Sequence, residues 1–301
     1  MNSFVRDFKT TWNKPNNSLP RLIIINVVAF VAMSILSLVL RYAVGPYAFE
    51  RYILEYIALP SSFLEFITKP WTLVTYFFTH SLSHFLHIVF NMLGLYWFGV
   101  IFMEYLGNKK LVDIYVLGGL AGGLIYMIAY FASSFMQNPI APPMIGLIGA
   151  SACVYAIIVG AATVAPDYRM NLLFIGPVKI VYLALAYIFM NVISLGGGDN
   201  FGGHIAHLGG ALTGFIYVKS LKKGVDLGSW VSNFLTWITN WNKPSRKFKV
   251  THRGRKTNIK KSSEPDQAMV DAILDKISER GYENLTQEEK EILFKASQKK
   301  N

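Results

Sequence analysis

Long apolar stretches alternate with short polar connections over the first two-thirds of the chain. Six of these stretches approach the roughly 20 residues that an α-helix needs to cross a hydrocarbon core about 30 Å thick. The pattern therefore predicts an all-α, polytopic membrane protein with a six-helix bundle. The predicted spans are residues 19–42, 82–105, 111–135, 145–165, 172–195 and 204–221.

Basic residues mark alternate connections between the spans. Because cytoplasmic loops carry an excess of Lys and Arg, this distribution predicts that both termini lie in the cytoplasm. The connections 43–81, 136–144 and 196–203 then face the outer side, and Asp199 lies in the last of them. The basic residues used are Arg6, Lys9, Lys14, Arg21, Lys109, Lys110, Arg169, Lys219, Lys222 and Lys223.

The outer segment 43–81 is too rich in charged residues to be another span, but it carries aromatic residues such as Trp71 and Tyr76. Aromatic side chains favour the boundary between headgroups and acyl chains. This segment is therefore predicted to form a structured loop at the membrane interface.

The chain becomes more polar after Lys223. Residues 227–241 have the pattern of an amphipathic helix lying in the interface. Residues 243–261 hold nine Lys or Arg residues and no acid, which favours contact with anionic headgroups over nucleic acid. Residues 265–281 and a capping box at Thr286 predict a small helical hairpin. The predicted domains are 1–18, a cytoplasmic segment; 19–221, the six-span domain; and 222–301, a cytoplasmic tail.

Composition agrees with a membrane protein, since 16% of residues are charged and 52% are hydrophobic. This balance is not that of a soluble globular protein. The single cysteine, Cys153, permits no intramolecular disulfide.

Histidines provide the first chemical signal. Five of the six lie at the predicted outer ends of the second and sixth spans: His80, His84, His87, His204 and His207. Ionisable groups within spans are costly, so such a cluster indicates a functional site. His87 and Asn91 are four residues apart and share a helix face, as two donors to an oxyanion would. A hydrogen bond between helices remains the alternative for this pair.

Ser151 follows Gly149 and Ala150 at the start of the fourth predicted span, where backbone N–H groups and the helix dipole favour negative charge. His207 precedes Gly210 by one turn. Gly210 and Gly214 form a GxxxG pair that permits close helix contact. Such a contact would bring His207 to a serine, as acyl transfer requires. At 1.5 Å per residue, Ser151 and His207 are expected roughly 5 to 10 Å below the outer edge, with His87 at a similar depth.

Three motifs, in order on the second, fourth and sixth spans, resemble those of rhomboid intramembrane serine proteases. They are His80-Ser-Leu-Ser-His84-Phe-Leu-His87-Ile-Val-Phe-Asn91, Gly149-Ala150-Ser151 and Ala206-His207-Leu-Gly-Gly210. The resemblance covers roughly residues 20 to 221. It implies Ser151 as nucleophile, His207 as general base without a third carboxylate, oxyanion donation by His87, Asn91 and the Ser151 amide, and Tyr155 stacked against the catalytic histidine.

The resemblance further implies that the substrates are transmembrane segments of other proteins, cut after a small residue where the helix is locally unstable. It implies no metal or organic cofactor. The active site would face the outer side, and the charge pattern fits a bacterial plasma membrane. Glu104 matches a glutamate that supports the fold.

The sequence departs from the family pattern at two positions. Ala152 stands where most members carry glycine, and its methyl group is expected to narrow the oxyanion site or the pocket for the residue before the cut. Thr72 follows Trp71 where an arginine is common.

Three other functions remain open. Membrane histidines can bind haem or a metal, although there is no HExxH motif and no histidine pair at matching depth across the bilayer. A catalytically inactive relative would bind membrane clients without cutting them. A transporter would be expected to show broken-helix repeats, which the sequence lacks. His204 is expected either to assist water entry or to cap the sixth helix.

Overall fold

The computed structural model describes residues 17–137, 139–143, 145–173, 175–197, 200–241 and 267–298. They divide between two compact units, Met1–Lys243 and Pro244–Asn301. Several charged residues named in the predictions of topology and of headgroup binding lie outside the described residues. They are Arg6, Lys9, Lys14, Asp199 and the basic stretch 243–261.

Helices dominate the described part of the first unit. They are α1 (Ser18–Ala43), α2 (Glu55–Ile57), α3 (Phe63–Thr68), α4 (Thr72–Thr75), α5 (Phe85–Ser133), α6 (Ser151–Val164), α7 (Ile180–Ser194), α8 (Phe201–Lys222) and α9 (Ser229–Asn240). A π-helical turn, Glu50–Leu54, leads into α2, and 3₁₀ turns occupy Tyr76–Phe78 and Leu195–Gly197.

Helix α5 covers the second and third predicted spans. Gly107 interrupts it with φ 82° and ψ 172°, a backbone conformation outside the helical region. Glycine adopts a positive φ at little cost because it lacks a Cβ atom. The two halves of α5 are therefore separate helical segments joined at Gly107.

Within the described ranges, three helical segments are long and apolar enough to cross a membrane: Ser18–Ala43, Phe85–Ser133 and Ile180–Gly197. Helix α6 is apolar but has only 14 residues, about 21 Å at 1.5 Å per residue. Ten of those residues are buried. Helix α6 thus lies in the centre of the first unit, shielded by its neighbours.

The fourth predicted span is shorter than the hydropathy indicated, because α6 begins at Ser151 and residues 145–150 are not helical. Gly146 and Gly149 have φ values of +81° and +121°. Leu147 pairs with Leu59 of the outer segment in an isolated β-bridge. The depth expected for Ser151 assumed a helical rise through these residues, which the structure does not have.

The fifth predicted span also begins late. Strands β1 (Arg169–Leu172) and β2 (Gly176–Lys179) form an antiparallel hairpin before α7, so the all-α prediction missed this two-stranded sheet. Gly176 has φ +91°, and Pro177 lacks a backbone N–H, so neither residue favours a helix interior.

Small residues bring three helices into close contact. A Cβ atom on Gly122 of α5 would lie 2.6 Å from the Cβ atom of Ala152 on α6. On the other side of α6, Cβ atoms on Gly210 and Gly214 of α8 would overlap the carbonyl oxygens of Ala152 and Ala156. Helix α6 is therefore held backbone to backbone, which fixes Ser151 relative to α8.

A buried carboxylate joins the end of this bundle to α9. Asp113 of α5 is 0% exposed. It accepts hydrogen bonds from Ser232 Oγ at 2.5 Å and from Tyr217 OH at 3.4 Å. Lys110 lies 3.4 Å from Asp113 and also pairs with Asp226. These bonds satisfy the buried charge and hold the start of α9 against α5 and α8.

In the second unit, α10 (Gln267–Arg280) and α11 (Gln287–Gln298) are joined by a 3₁₀ turn at Tyr282–Asn284. Thr286 N donates to Glu289 Oε2 at 2.8 Å, and Glu289 N donates to Thr286 Oγ1 at 3.3 Å. These reciprocal bonds form a capping box at the start of α11.

Candidate active site

Ser151 is the first residue of α6. The chain reaches it through Gly149, whose N–H donates to the carbonyl oxygen of Tyr76 at 2.9 Å. The first N–H groups of an α-helix have no acceptor within the helix. The Ser151 hydroxyl therefore lies beside backbone donors at the positive end of the α6 dipole.

His207 of α8 contacts Ser151 directly. Its Nε2 atom lies 2.6 Å from Ser151 Oγ, which is hydrogen-bond distance. The imidazole ring stacks on Tyr155, with ring centroids 4.5 Å apart and ring planes at 6°. Tyr155 is one turn after Ser151 on α6, so the serine and the aromatic ring that faces the histidine come from the same helix.

His87 and Asn91 of α5 line the same cavity as Ser151 and His207, with a volume of about 680 Å³. The His87 ring covers Gly149, where a Cβ atom would lie 2.8 Å from His87 Cε1. This position therefore requires glycine, because its φ is positive and because the His87 ring leaves no room for a Cβ atom. The Asn91 amide donates to the carbonyl oxygen of His87 at 2.7 Å, so one of its two N–H groups remains for another acceptor.

His80 and His84, which precede α5, have different surroundings from His87. His80 is buried, with its ring centroid 5.5 Å from that of His87. Neither ring nitrogen of His80 has a hydrogen-bond partner in the described part of the chain. His84 Nδ1 lies 3.3 Å from Ser81 Oγ.

Asn191 of α7 is a site residue that the sequence analysis missed. It is buried, and its Oδ1 atom lies 2.8 Å from His207 Nδ1 and 2.9 Å from His204 Nδ1. A signal was present, because a buried amide within an apolar span is costly unless it has partners. Spacing alone does not reveal those partners, which lie on another helix.

His204 lies within α8, which begins at Phe201 with Asn200 at its N-cap position. The expectation that His204 caps this helix is therefore wrong. Its Nδ1 atom contacts Asn191 instead. Assistance to water entry stays a prediction.

The methyl group of Ala152 faces away from the cavity. Ala152 is 1% exposed, and its Cβ atom points toward Gly122 of α5. Ala152 is also absent from the cavity lining. The expected narrowing of the oxyanion site by this methyl group is not seen, because the methyl group fills space between α6 and α5.

Within the described ranges, no three His, Cys, Asp or Glu side chains lie close enough together to hold a metal ion.

Helices long and apolar enough to cross a bilayer define an integral membrane protein. A sequence model of the Rhomboid domain matches residues 68–223, slightly more than half of the chain. The chain therefore belongs to the rhomboid family.

The chain is also similar to a plant protein and to a second family model. RHOMBOID-like protein 12, mitochondrial, from Arabidopsis thaliana is 33% identical over 162 residues, which cover 51% of this chain and 47% of that protein. The chain thus spans about half the length of this relative. A family of unknown function, DUF6576, matches residues 254–299.

Proposed function

We propose that this protein is an intramembrane serine endopeptidase that cuts transmembrane segments of other proteins with Ser151 and His207. The observation that carries the proposal is the 2.6 Å contact between His207 Nε2 and Ser151 Oγ. A nucleophile and a base within hydrogen-bond distance are what acyl transfer requires. Membership of the rhomboid family supports the same function.

In the first half of the reaction, His207 Nε2 accepts the hydroxyl proton as Ser151 Oγ attacks the peptide carbonyl carbon. The carbonyl oxygen becomes an oxyanion, which His87, the free Asn91 N–H and the Ser151 backbone N–H stabilise. The C–N bond then breaks, and His207 gives its proton to the leaving amine. Ser151 is left as an acyl ester.

In the second half, water replaces the amine. His207 accepts a proton from water while the hydroxide attacks the ester carbon, and the same donors stabilise the second oxyanion. The C–O bond to Ser151 breaks, and His207 returns the proton to Oγ. The products are a new carboxyl terminus and a new amino terminus, and the enzyme is unchanged.

The proposed membrane domain is 19–221, with six spans formed by α1, the two halves of α5, α6, α7 and α8. The basic residues at the end of α8 and at Lys109, Lys110 and Arg169 support termini in the cytoplasm and a cavity open to the other side. The relative from Arabidopsis thaliana is named mitochondrial, so the bacterial plasma membrane rests on the charge pattern alone and stays a prediction.

The tail 222–301 is proposed to meet the cytoplasmic surface of the bilayer. Helix α9 supports this because its aromatic side chains are exposed: Trp230, Phe234, Trp237 and, directly after it, Trp241. Tryptophan favours the membrane interface. Anionic headgroups are the proposed partners of the stretch 243–261.

The test of the function uses the full chain, purified and placed in liposomes. A fluorophosphonate probe is expected to form one adduct, which peptide mass spectrometry locates at Ser151. Cleavage of a co-reconstituted single-span substrate with small residues near its outer end is expected alongside. Ser134→Ala, a change at an exposed serine, serves as the matched control and is expected to label like the wild type.

Two outcomes would contradict the proposal. One is a folded wild-type protein that neither labels nor cuts several different single-span substrates. The other is an adduct on a serine other than Ser151. The first outcome would favour the alternative, an inactive relative that binds membrane clients.

Ala152→Gly is expected to change the cleavage rate by less than about threefold, since the methyl group does not line the cavity. It is expected to lower the free energy of unfolding by about 1 kcal/mol, because a helix position loses an alanine and the contact with Gly122 is lost. Thermal denaturation in detergent and kcat with one substrate measure the two effects. Ala186→Gly, an exposed alanine on α7, is the control, and a rate increase above tenfold in Ala152→Gly would show that the methyl group obstructs the site.

A further inference from the structure

Asn191 is the buried polar residue of α7, whose other buried residues are Ile180 and Ala184. We propose that Asn191 is a positioning residue for the reaction: it fixes the tautomer and the orientation of the His207 ring. The site would then be a Ser151–His207–Asn191 triad. This inference rests on the proposed protease function, because it concerns the same histidine.

The oxygen and the nitrogen of the Asn191 amide are distinguished by their hydrogen-bond neighbours. Asn191 Nδ2 lies 2.7 Å from the carbonyl oxygen of Tyr187. A backbone carbonyl accepts hydrogen bonds and cannot donate one. The amide nitrogen must therefore face Tyr187, and the amide oxygen must face His207.

The amide oxygen of Asn191 fixes the tautomer of His207. Asn191 Oδ1 accepts only, so at 2.8 Å the His207 Nδ1 atom must carry the proton. In a neutral imidazole the other nitrogen then has a free lone pair. That nitrogen is Nε2, which lies 2.6 Å from Ser151 Oγ. The Tyr187 carbonyl thus determines, through Asn191, that His207 accepts the serine proton.

Asn191 also fixes the orientation of the His207 ring. Asn191 Nδ2 also donates to Tyr155 OH at 2.6 Å, and Tyr155 stacks on the His207 ring. One amide therefore holds the imidazole at its edge and also holds the aromatic ring that covers its face. A neutral amide has the same position beside the histidine in Cys-His-Asn proteases.

Asn26 of α1 allows the simpler explanation, a hydrogen bond between helices, to be tested. Its Nδ2 atom donates to the carbonyl oxygen four residues earlier, Leu22, at 2.8 Å and contacts Tyr115 OH at 3.0 Å. Asn191 makes the same two kinds of contact with Tyr187 and Tyr155. The two amides differ in the contacts of Oδ1. In Asn191 this oxygen contacts two imidazole rings. In Asn26 it lies 3.5 Å from the Tyr115 hydroxyl.

The experiment compares Asn191→Leu, Asn191→Asp and Asn26→Leu with the wild type in liposomes, measuring kcat, KM and thermal stability. Asn191→Leu is expected to lower kcat by about 10- to 100-fold, because a misoriented base costs that much, while KM changes by less than about twofold. Asn191→Asp keeps an oxygen at Nδ1 and is expected to retain more of kcat than Asn191→Leu. Asn26→Leu is expected to alter stability and leave kcat per folded molecule unchanged.

A wild-type kcat in folded Asn191→Leu would overturn this inference and leave the protease function intact. An equal loss of kcat per folded molecule in Asn26→Leu would also overturn it, since the effect would then be structural. A wild-type protein that neither labels nor cuts would overturn the protease function and this inference together.

A spectroscopic measurement on the unmutated site keeps the inference testable if the Asn191 variants do not fold. Nitrogen-15 spectra of histidine-labelled protein distinguish the two neutral tautomers, and comparison with His207→Gln assigns the His207 signals. Protonation at Nδ1 is the expected result. Protonation at Nε2 in the resting enzyme would overturn the inference.

Discussion

Ser151→Ala and His207→Ala are each expected to lower kcat per folded molecule by about 10⁴-fold or more. The two side chains act as one unit, because the hydroxyl is a weak nucleophile until the imidazole accepts its proton. The double variant is therefore expected to be no slower than either single variant. Cleavage assays in liposomes, with the folded fraction measured separately, give these rates.

A neighbouring histidine supplies the matched control. His204 lies on the same helix as His207 and contacts the same Asn191 oxygen, but its described contacts do not include Ser151. His204→Ala is therefore expected to lose far less activity than His207→Ala. The role of general base would be contradicted if folded His207→Ala kept more than about a tenth of the wild-type kcat.

Gly210→Leu is expected to lower the free energy of unfolding by about 3 kcal/mol, the upper end of the range for overpacking, and to reduce labelling of the folded fraction by a fluorophosphonate probe. The new side chain would meet the backbone of Ala152, which cannot move away as a flexible side chain could. Helices α6 and α8 must then separate, and overpacked interfaces typically lose 1 to 3 kcal/mol. Since Ser151 and His207 are on these two helices, separation also breaks their contact.

Gly210→Ala is expected to show a smaller loss of stability than Gly210→Leu, although one methyl group already overlaps the Ala152 carbonyl oxygen. Gly196→Ala makes the same chemical change where no non-adjacent atom of the described residues lies within 4 Å of the new Cβ atom. We expect thermal denaturation in detergent to rank the three variants with Gly196→Ala the most stable and Gly210→Leu the least stable. Equal stability of Gly210→Ala and Gly196→Ala would show that the α6–α8 contact relaxes without cost.

Hydropathy was most informative where a helix coincides with an apolar run. Helix α1, Ser18–Ala43, differs from the predicted span by one residue at each end, and α8 begins three residues earlier than predicted. The pair Ser151 and His207 was also accessible from sequence, since the GxxxG motif at Gly210 indicates which face of α8 approaches another helix. Their catalytic roles stay predictions.

Other features depend on backbone angles and tertiary contacts, which a hydropathy profile does not describe. The start of α6 is set by positive φ angles at Gly146 and Gly149 and by the bridge between Leu59 and Leu147. Apolar residues 145–150 look like helix to a hydropathy window, because the window registers transfer energy and not backbone conformation. Asn191 lies 13 and 16 residues before His204 and His207 in the sequence. Its contacts with them therefore depend on how the helices pack.

Helix α7 buries three of its fifteen residues, and most of its large side chains are exposed. They include Tyr182, Leu185, Phe189, Met190 and Val192. In a bilayer these side chains are solvated by acyl chains, so hydrocarbon thickness helps to set the tilt of α7. Because α7 also carries Asn191, a helix that is largely exposed to acyl chains is the one that contacts the His207 ring. In the proposed triad, a single helix would therefore face both the lipid and the general base.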